Sequence, residues 1–210
     1  MQNSVPDWIQ IAQPITEITL ALVAIVISII ALFQTKKQTT LSNKQHLFER
    51  RLERYTIVED FLVQFNCINK LNIDFSNKDD INAYNRILLR ALCDCVVLKE
   101  ARGTIDKLTD KTDFDAKYTF LSQCNKLSIL SQEIPIIFSN KKAKEVSEFI
   151  EQYALLTLSV YHYYTLTDTE KKEQDSWIEI ICKKWNELKA TYNIIIENNI
   201  MNLLLTETKL

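Results

Sequence analysis

Apolar residues along this chain fall into two regimes, one continuous run near the start and helical spacing from there on. From Ile18 to Phe33 sixteen residues carry no charge and little polarity. At ~1.5 Å rise per residue the run covers about 24 Å of helix. With the flanks Pro14–Glu17 and Gln34–Thr35 it reaches about 33 Å, close to the ~30 Å hydrocarbon thickness of a bilayer. A buried core helix is the alternative, but no other segment approaches this hydrophobicity. The expectation is a transmembrane helix over 14–35, preceded by a short extracytoplasmic tail, 1–13.

Beyond the run the period is 3.6. Leu41, Phe48, Leu52, Tyr55, Leu62 and Phe65 keep near-heptad spacing, and no Gly or Pro intervenes until well beyond Leu71. This predicts a long juxtamembrane helix over 36–75, weakest at the β-branched pair Thr39-Thr40. A helical bundle over 76–210 follows. Ser76–Asp80 reads as a loop with capping residues, and Ile81, Tyr84, Leu88, Leu92, Cys95 and Val96 mark a helix to about Ala101 with Gly103 as terminator. Residues 104–113 form a polar connection. Phe120, Leu121, Cys124, Leu127 and Leu130 give the next helix, broken at Pro135. Ser139-Asn140 caps a fourth, carrying Val146, Phe149, Ile150, Tyr153, Leu156, Val160 and Tyr164. Thr167-Asp168 begins the last, with Trp177, Ile181, Trp185, Leu188, Tyr192 and Ile195 on one stripe. The fold expected is all-α: one N-terminal transmembrane helix, then a cytosolic bundle of about five helices.

Composition agrees. One Gly and three Pro in 210 residues leave little with which to turn β-hairpins. Charge sets the orientation. Residues 1–35 hold no Lys or Arg, and Lys36 and Lys37 follow the run directly. The positive-inside rule places the long remainder in the cytoplasm and the N-terminus outside, with both lysines at anionic head groups. A cleavable signal peptide needs positive charge before its apolar core and a small-residue site after it, and neither is present. All five Cys fall on the cytoplasmic side, where an odd number argues against a disulfide framework.

Within the span Glu17, Ala21, Ala24, Ser28, Ala31 and Thr35 follow steps of 4, 3, 4, 3 and 4, which is one seam on a helix. Lipid gives helices no hydrophobic reason to pair, so they associate where small side chains let backbones approach. A homo-oligomeric seam is expected; toleration of small residues in a lone span is the plainer alternative.

The basic residues Arg50, Arg51 and Arg54 lie too far along an upright helix to reach lipid, since the Debye length is ~8 Å. Pairing within the bundle is expected of them. Phe48, Arg51 and Tyr55 share one face by spacing. There the two aromatics would be core and Arg51 would snorkel at the edge. Acidic Glu49 and Glu53 interleave the basic set, which argues against nucleic acid. Cys93-x-Cys95 points two thiols about 200° apart on a helix, and His46 and His162 are distant, so no metal site is expected. There is no glycine-rich phosphate loop, nucleophile elbow or H-E-x-x-H, so neither enzyme activity nor a cofactor is expected.

The segment Phe48-Glu-Arg-Arg51-Leu52-Glu-Arg-Tyr55, after a single span and a lysine pair, resembles small bacterial inner-membrane proteins with a juxtamembrane F-x-x-R-L-x-x-Y helix. The run Ile134–Ser139 is similar in outline. The resemblance implies a bacterial inner membrane and, for some of those proteins, an accessory or effector role in anti-phage or stress-response systems. It supplies no active site. The expected function is a membrane-anchored interaction or sensor protein with an unknown protein partner. The alternative is an effector that makes the membrane leak when its spans assemble.

Overall fold

A computed structural model of the chain describes residues 7–71, 78–110, 112–166 and 171–209. It is all-α, and no strand occurs among the described residues. The helices are α1 (Asp7–Asn69), α2 (Lys78–Leu92), α3 (Lys99–Thr104), α4 (Phe114–Ile137), α5 (Ala143–Thr165), α6 (Lys171–Glu197) and α7 (Ile200–Thr206). Two compact units meet in sequence between Leu47 and Phe48.

The first unit is helix throughout its described length. Its apolar window has no buried residue, and it is the one stretch among the described residues long and apolar enough to cross a membrane. The first described residue, Asp7, is already helical, so Pro14 lies within α1. It also runs unbroken through Thr39 and Thr40, whose hydroxyls donate to Thr35 O at 3.0 Å and Lys36 O at 2.9 Å. These back-bonds occupy the polar groups that β-branching brings, and the small propensity cost does not break the helix.

In the second unit α1 turns from uniformly exposed to one-sided. Val58, Phe61, Leu62, Phe65 and Ile68 are buried at helical spacing. Phe61 packs edge-on to Tyr153 at 4.9 Å, and Phe65 meets Phe149, Trp185 and Tyr192 at 5.8, 5.0 and 4.9 Å. The aromatic core thus joins α1, α5 and α6. α5 is the central helix, packed against α2, α4 and α6. α1 ends at Asn69, short of the boundary expected at 75; residues 72–77 lie outside the described set.

Several element ends differ from the sequence expectation, each for a local reason. The helix expected over 81–101 is interrupted after Leu92 by an extended Cys95 and a 3-10 turn, Val96–Leu98. Asp60 Oδ2 accepts the Val96 N–H at 2.8 Å, and the buried Tyr153 hydroxyl donates to Leu92 O at 2.8 Å. Both groups left unpaired by the break are therefore satisfied from other helices. Gly103 sits inside α3 and ends nothing. Pro135 lies within α4, which continues to Ile137. A proline removes the bond to the carbonyl four residues back; that carbonyl, of Ser131, accepts instead from Ser147 Oγ at 2.6 Å. Asp113 is the N-cap before α4, its carboxylate accepting the Ala116 N–H at 2.9 Å. The helix start expected at Thr167-Asp168 lies outside the described residues. α7 was not anticipated. It follows Asn199, a left-handed residue (φ 50°) that breaks the helical run after α6.

Candidate functional site

Two constellations in the second unit bring together residues distant in sequence. The first is centred on Arg51 of α1. The last carbonyls of a helix have no partner within it and carry partial negative charge. Arg51 Nε donates to Ile137 O, at the end of α4, at 2.9 Å, and Nη1 donates to Glu207 O, at the end of α7, at 3.1 Å. One guanidinium so caps two helix C-termini. Its Nη2 also lies 3.5 Å from Glu207 Oε2. The Glu207 carboxylate in turn accepts from Ser139 N at 2.8 Å, Ser139 Oγ at 2.7 Å and Asn140 N at 2.8 Å. Burial raises the Glu207 pKa, but the hydrogen bonds from Ser139 and Asn140 and the charge of Arg51 outweigh it and hold the carboxyl below its usual value. Ser139 and Asn140 thus serve the clasp; α5 begins later, at Ala143, and the Asn140 side chain accepts from Lys142 N at 2.9 Å.

Arg51 is therefore a clasp at the centre of three helices. Its companions Phe48 and Tyr55 are half-buried, Tyr55 packing against the core. Burial, and then the charge of Glu59, raise the Tyr55 pKa. Arg50 and Arg54 share one carboxylate: Arg50 Nη2 lies 3.4 Å from Glu133 Oε1, and Arg54 Nε 2.9 Å from Glu133 Oε2.

The second constellation is a cavity of about 470 Å³ beside that pair, bounded by α1, the 3-10 turn with α3, and α4. Arg54, Lys99 and Lys126 give it cations, Glu100 and Glu133 anions, and Ile57, Val96 and Ile129 an apolar wall. Gln123 on α4 donates to Glu100 within it. Two of its five charges, Arg54 and Glu133, are ion-paired to each other and a third, Glu100, accepts a hydrogen bond. The cavity lining contains no His, Cys, Ser or Thr. Its chemistry is that of holding a polar group against an apolar surface.

Among the described residues no three His, Cys, Asp or Glu are placed to hold a metal ion. Cys93, Cys95 and Cys124 are buried. Burial pushes the thiols of Cys95 and Cys124 up to about 12 and that of Cys93 higher still. His162 is exposed and stacks on Trp177 with ring centroids 4.9 Å apart.

The seam residues Glu17, Ala21, Ala24, Ser28 and Ala31 all lie on the exposed first unit, as do Lys36 and Lys37. Ser28 Oγ donates to Ala24 O at 2.7 Å and Thr35 Oγ1 to Ala31 O at 2.9 Å. The seam's hydroxyl protons are spent within their own helix, as those of Thr39 and Thr40 are further along it.

Glu133 and Glu207 at these sites, and Asp60 and the Tyr153 hydroxyl at the break after Leu92, take roles that no spacing in the sequence marks. Their partners lie 36 to 156 residues away, beyond any spacing rule. Comparison with protein-family models, with curated proteins and with solved structures finds no match to this chain.

Proposed function

We propose that this chain is a bacterial inner-membrane protein. A single span over 14–35 holds it, with the N-terminus outside and the helical unit from Phe48 onward in the cytoplasm. The span self-associates through its small-residue seam, and the helical unit binds another protein, as an interaction or sensor module. One observation carries the reading: eleven large apolar side chains between Ile18 and Phe33 are all exposed. Soluble proteins rarely leave so large an apolar surface uncovered, and the run's length fits a bilayer core. Lys36 and Lys37 at its end supply the charge asymmetry that sets orientation. The biological setting we attach, membrane-localised defence or stress signalling, rests on the resemblance of residues 48–55.

The test is extraction. The chain should stay with the membrane pellet after alkaline carbonate washing, and protease added outside spheroplasts should leave residues beyond Lys37 intact. Recovery in the carbonate supernatant sinks the anchor; digestion of the helical unit from outside sinks the orientation. Ala24→Leu with Ser28→Leu should lower the mass of the solubilised oligomer if the small-residue seam contributes to it.

A further inference from the structure

α4 carries large apolar side chains on two faces. Phe120, Cys124, Leu127, Leu130 and Ile134 on one are buried in the core. The other face is exposed along the whole helix and runs Phe114, Tyr118, Leu121, Asn125, Ile129, Gln132, Ile136. Phe114 is 75% exposed, Tyr118 76%, Leu121 43%, Ile129 51% and Ile136 82%. A helix with apolar residues on both sides is normally covered on both.

What would cover this face is constrained by its own spacing. The steps are 4, 3, 4, 4, 3 and 4, which reads the same in both directions about Asn125. The mean step, ~3.67 residues per turn, is close enough to 3.6 that the stripe stays on one side of a nearly straight helix. None of its seven positions is charged, and its margins carry both signs, with Asp115 and Lys126 exposed on one side and Lys117 on the other, its ammonium 6.0 Å from the Phe114 ring centroid. A strongly charged partner finds no counter-charge here, and a lipid surface would call for a basic margin. A second copy of the same stripe, run antiparallel, matches it position for position. Phe114 then faces Ile136, and Leu121 faces Ile129. The two polar positions are matched as well. Gln132 comes opposite Tyr118, whose hydroxyl its amide can bond, and the two Asn125 amides meet on the axis. A polar residue held within an apolar helix seam is a device that fixes register.

We propose that α4 pairs antiparallel with α4 of a second copy of this chain, about a two-fold axis through Asn125. Phe114, Tyr118 and Leu121 of each copy then cover Ile136, Gln132 and Ile129 of the other. The five apolar side chains would bury roughly 500–600 Å² per copy, near the lower bound for a specific interface. The contact is thus weak alone, and it rests on the membrane reading above for its local concentration: two tethered copies meet as if joined by a linker.

Cross-linking of the full-length chain in membranes tests it, with exposed Cys67 and partly exposed Cys182 first replaced by Ser. A short bis-maleimide should join copies carrying Asn125→Cys, and copies carrying Phe114→Cys together with Ile136→Cys. Phe114→Cys alone or Ile136→Cys alone should give no dimer, because antiparallel pairing holds each at about 33 Å from its equivalent. Tyr118→Glu with Ile136→Glu, both more than three-quarters exposed, should abolish the Asn125→Cys cross-link and leave the melting temperature unchanged. Two results overturn the proposal: no cross-link at Asn125→Cys, or cross-linking by the single end variants as strong as at Asn125→Cys. The pattern is scored separately in membrane and soluble fractions. Which fraction holds the protein reports on the anchor; which positions cross-link reports on α4.

Discussion

Glu207→Ala should loosen the helical unit at neutral pH and do so less in acid. The carboxylate accepts three hydrogen bonds from the turn between α4 and α5 and stands 3.5 Å from Arg51. A hydrogen bond to a charged group contributes about 1.5–3 kcal/mol, but contributions within one network do not add. Ser139 is exposed, so water replaces part of what its N–H and hydroxyl lose. The Arg51 side chain, about one-fifth exposed, keeps Ile137 O and the Glu207 backbone carbonyl as acceptors. A net cost of about 2–3 kcal/mol follows, below the sum of the separate bonds. In a unit of this size that lowers the melting temperature by roughly 5–10 °C. The pH dependence has a definite sign. The folded pKa of Glu207 is held below its usual value, so its contribution is complete above the ordinary carboxylate range and is lost as pH falls through the folded value. The assay is thermal unfolding of the detergent-solubilised chain by circular dichroism at pH 7 and at about pH 3, the latter below the ordinary glutamate pKa of ~4.3. The gap between wild type and variant should narrow in acid. A variant melting within about 1 °C of wild type at pH 7, a shift too small for a lost clasp, would refute the reasoning. So would a gap that stays constant down to pH 3.

Other outcomes follow from single contacts. Tyr153→Phe should cost about 1–3 kcal/mol, because it leaves the buried Leu92 carbonyl without a donor; equilibrium denaturant unfolding reads it. Asn199→Ala should cost about 1–2 kcal/mol through its left-handed backbone, and Asn199→Gly should cost little, measured in the same way. At pH 8 an alkylating reagent should label Cys67 first and spare Cys95 and Cys124, whose thiols burial holds near 12. Intact-mass spectrometry with a time course checks this, and rapid labelling of the buried pair would contradict their packing.

The helical class was legible because apolar spacing repeats at 3.6 over nearly every element and turn-forming glycine is scarce. Buried Leu62 and Phe65, and Ile181, Trp185 and Leu188, stand on the stripes read from the sequence, whereas Leu41 and Leu52 of the same α1 stripe are exposed. Element ends were less legible, because they depend on partners from other helices. The break after Leu92 is held by Asp60 and Tyr153, and the continuation past Pro135 by Ser147, none of them near in sequence. The sites were legible by half. A basic set on one helix is visible in the residues, but not that Arg51 would cap the ends of α4 and α7. Nor does any pattern mark Glu133 as the carboxylate shared by Arg50 and Arg54. The outer stripe of α4 was hidden by a different cause. Its apolar residues sum with those of the buried face, so the helix shows no clear polar side.

The two apolar surfaces obey different physics. On Ile18–Phe33 eleven large side chains are about half exposed. Leaving them in water would cost on the order of 15–20 kcal/mol. The anchor proposed above would remove that cost by covering them with lipid. Lipid in turn offers these helices no hydrophobic drive to pair, and close packing at Ala21, Ala24 and Ala31 is what would remain. The stripe from Phe114 to Ile136 keeps that drive in full if its surroundings are water. Self-association of the chain should therefore weaken more on Tyr118→Glu with Ile136→Glu than on Ala24→Leu with Ser28→Leu, as read from the yield of dimer on lysine cross-linking in intact membranes. The reverse order would mean that the span, and not α4, holds the copies together.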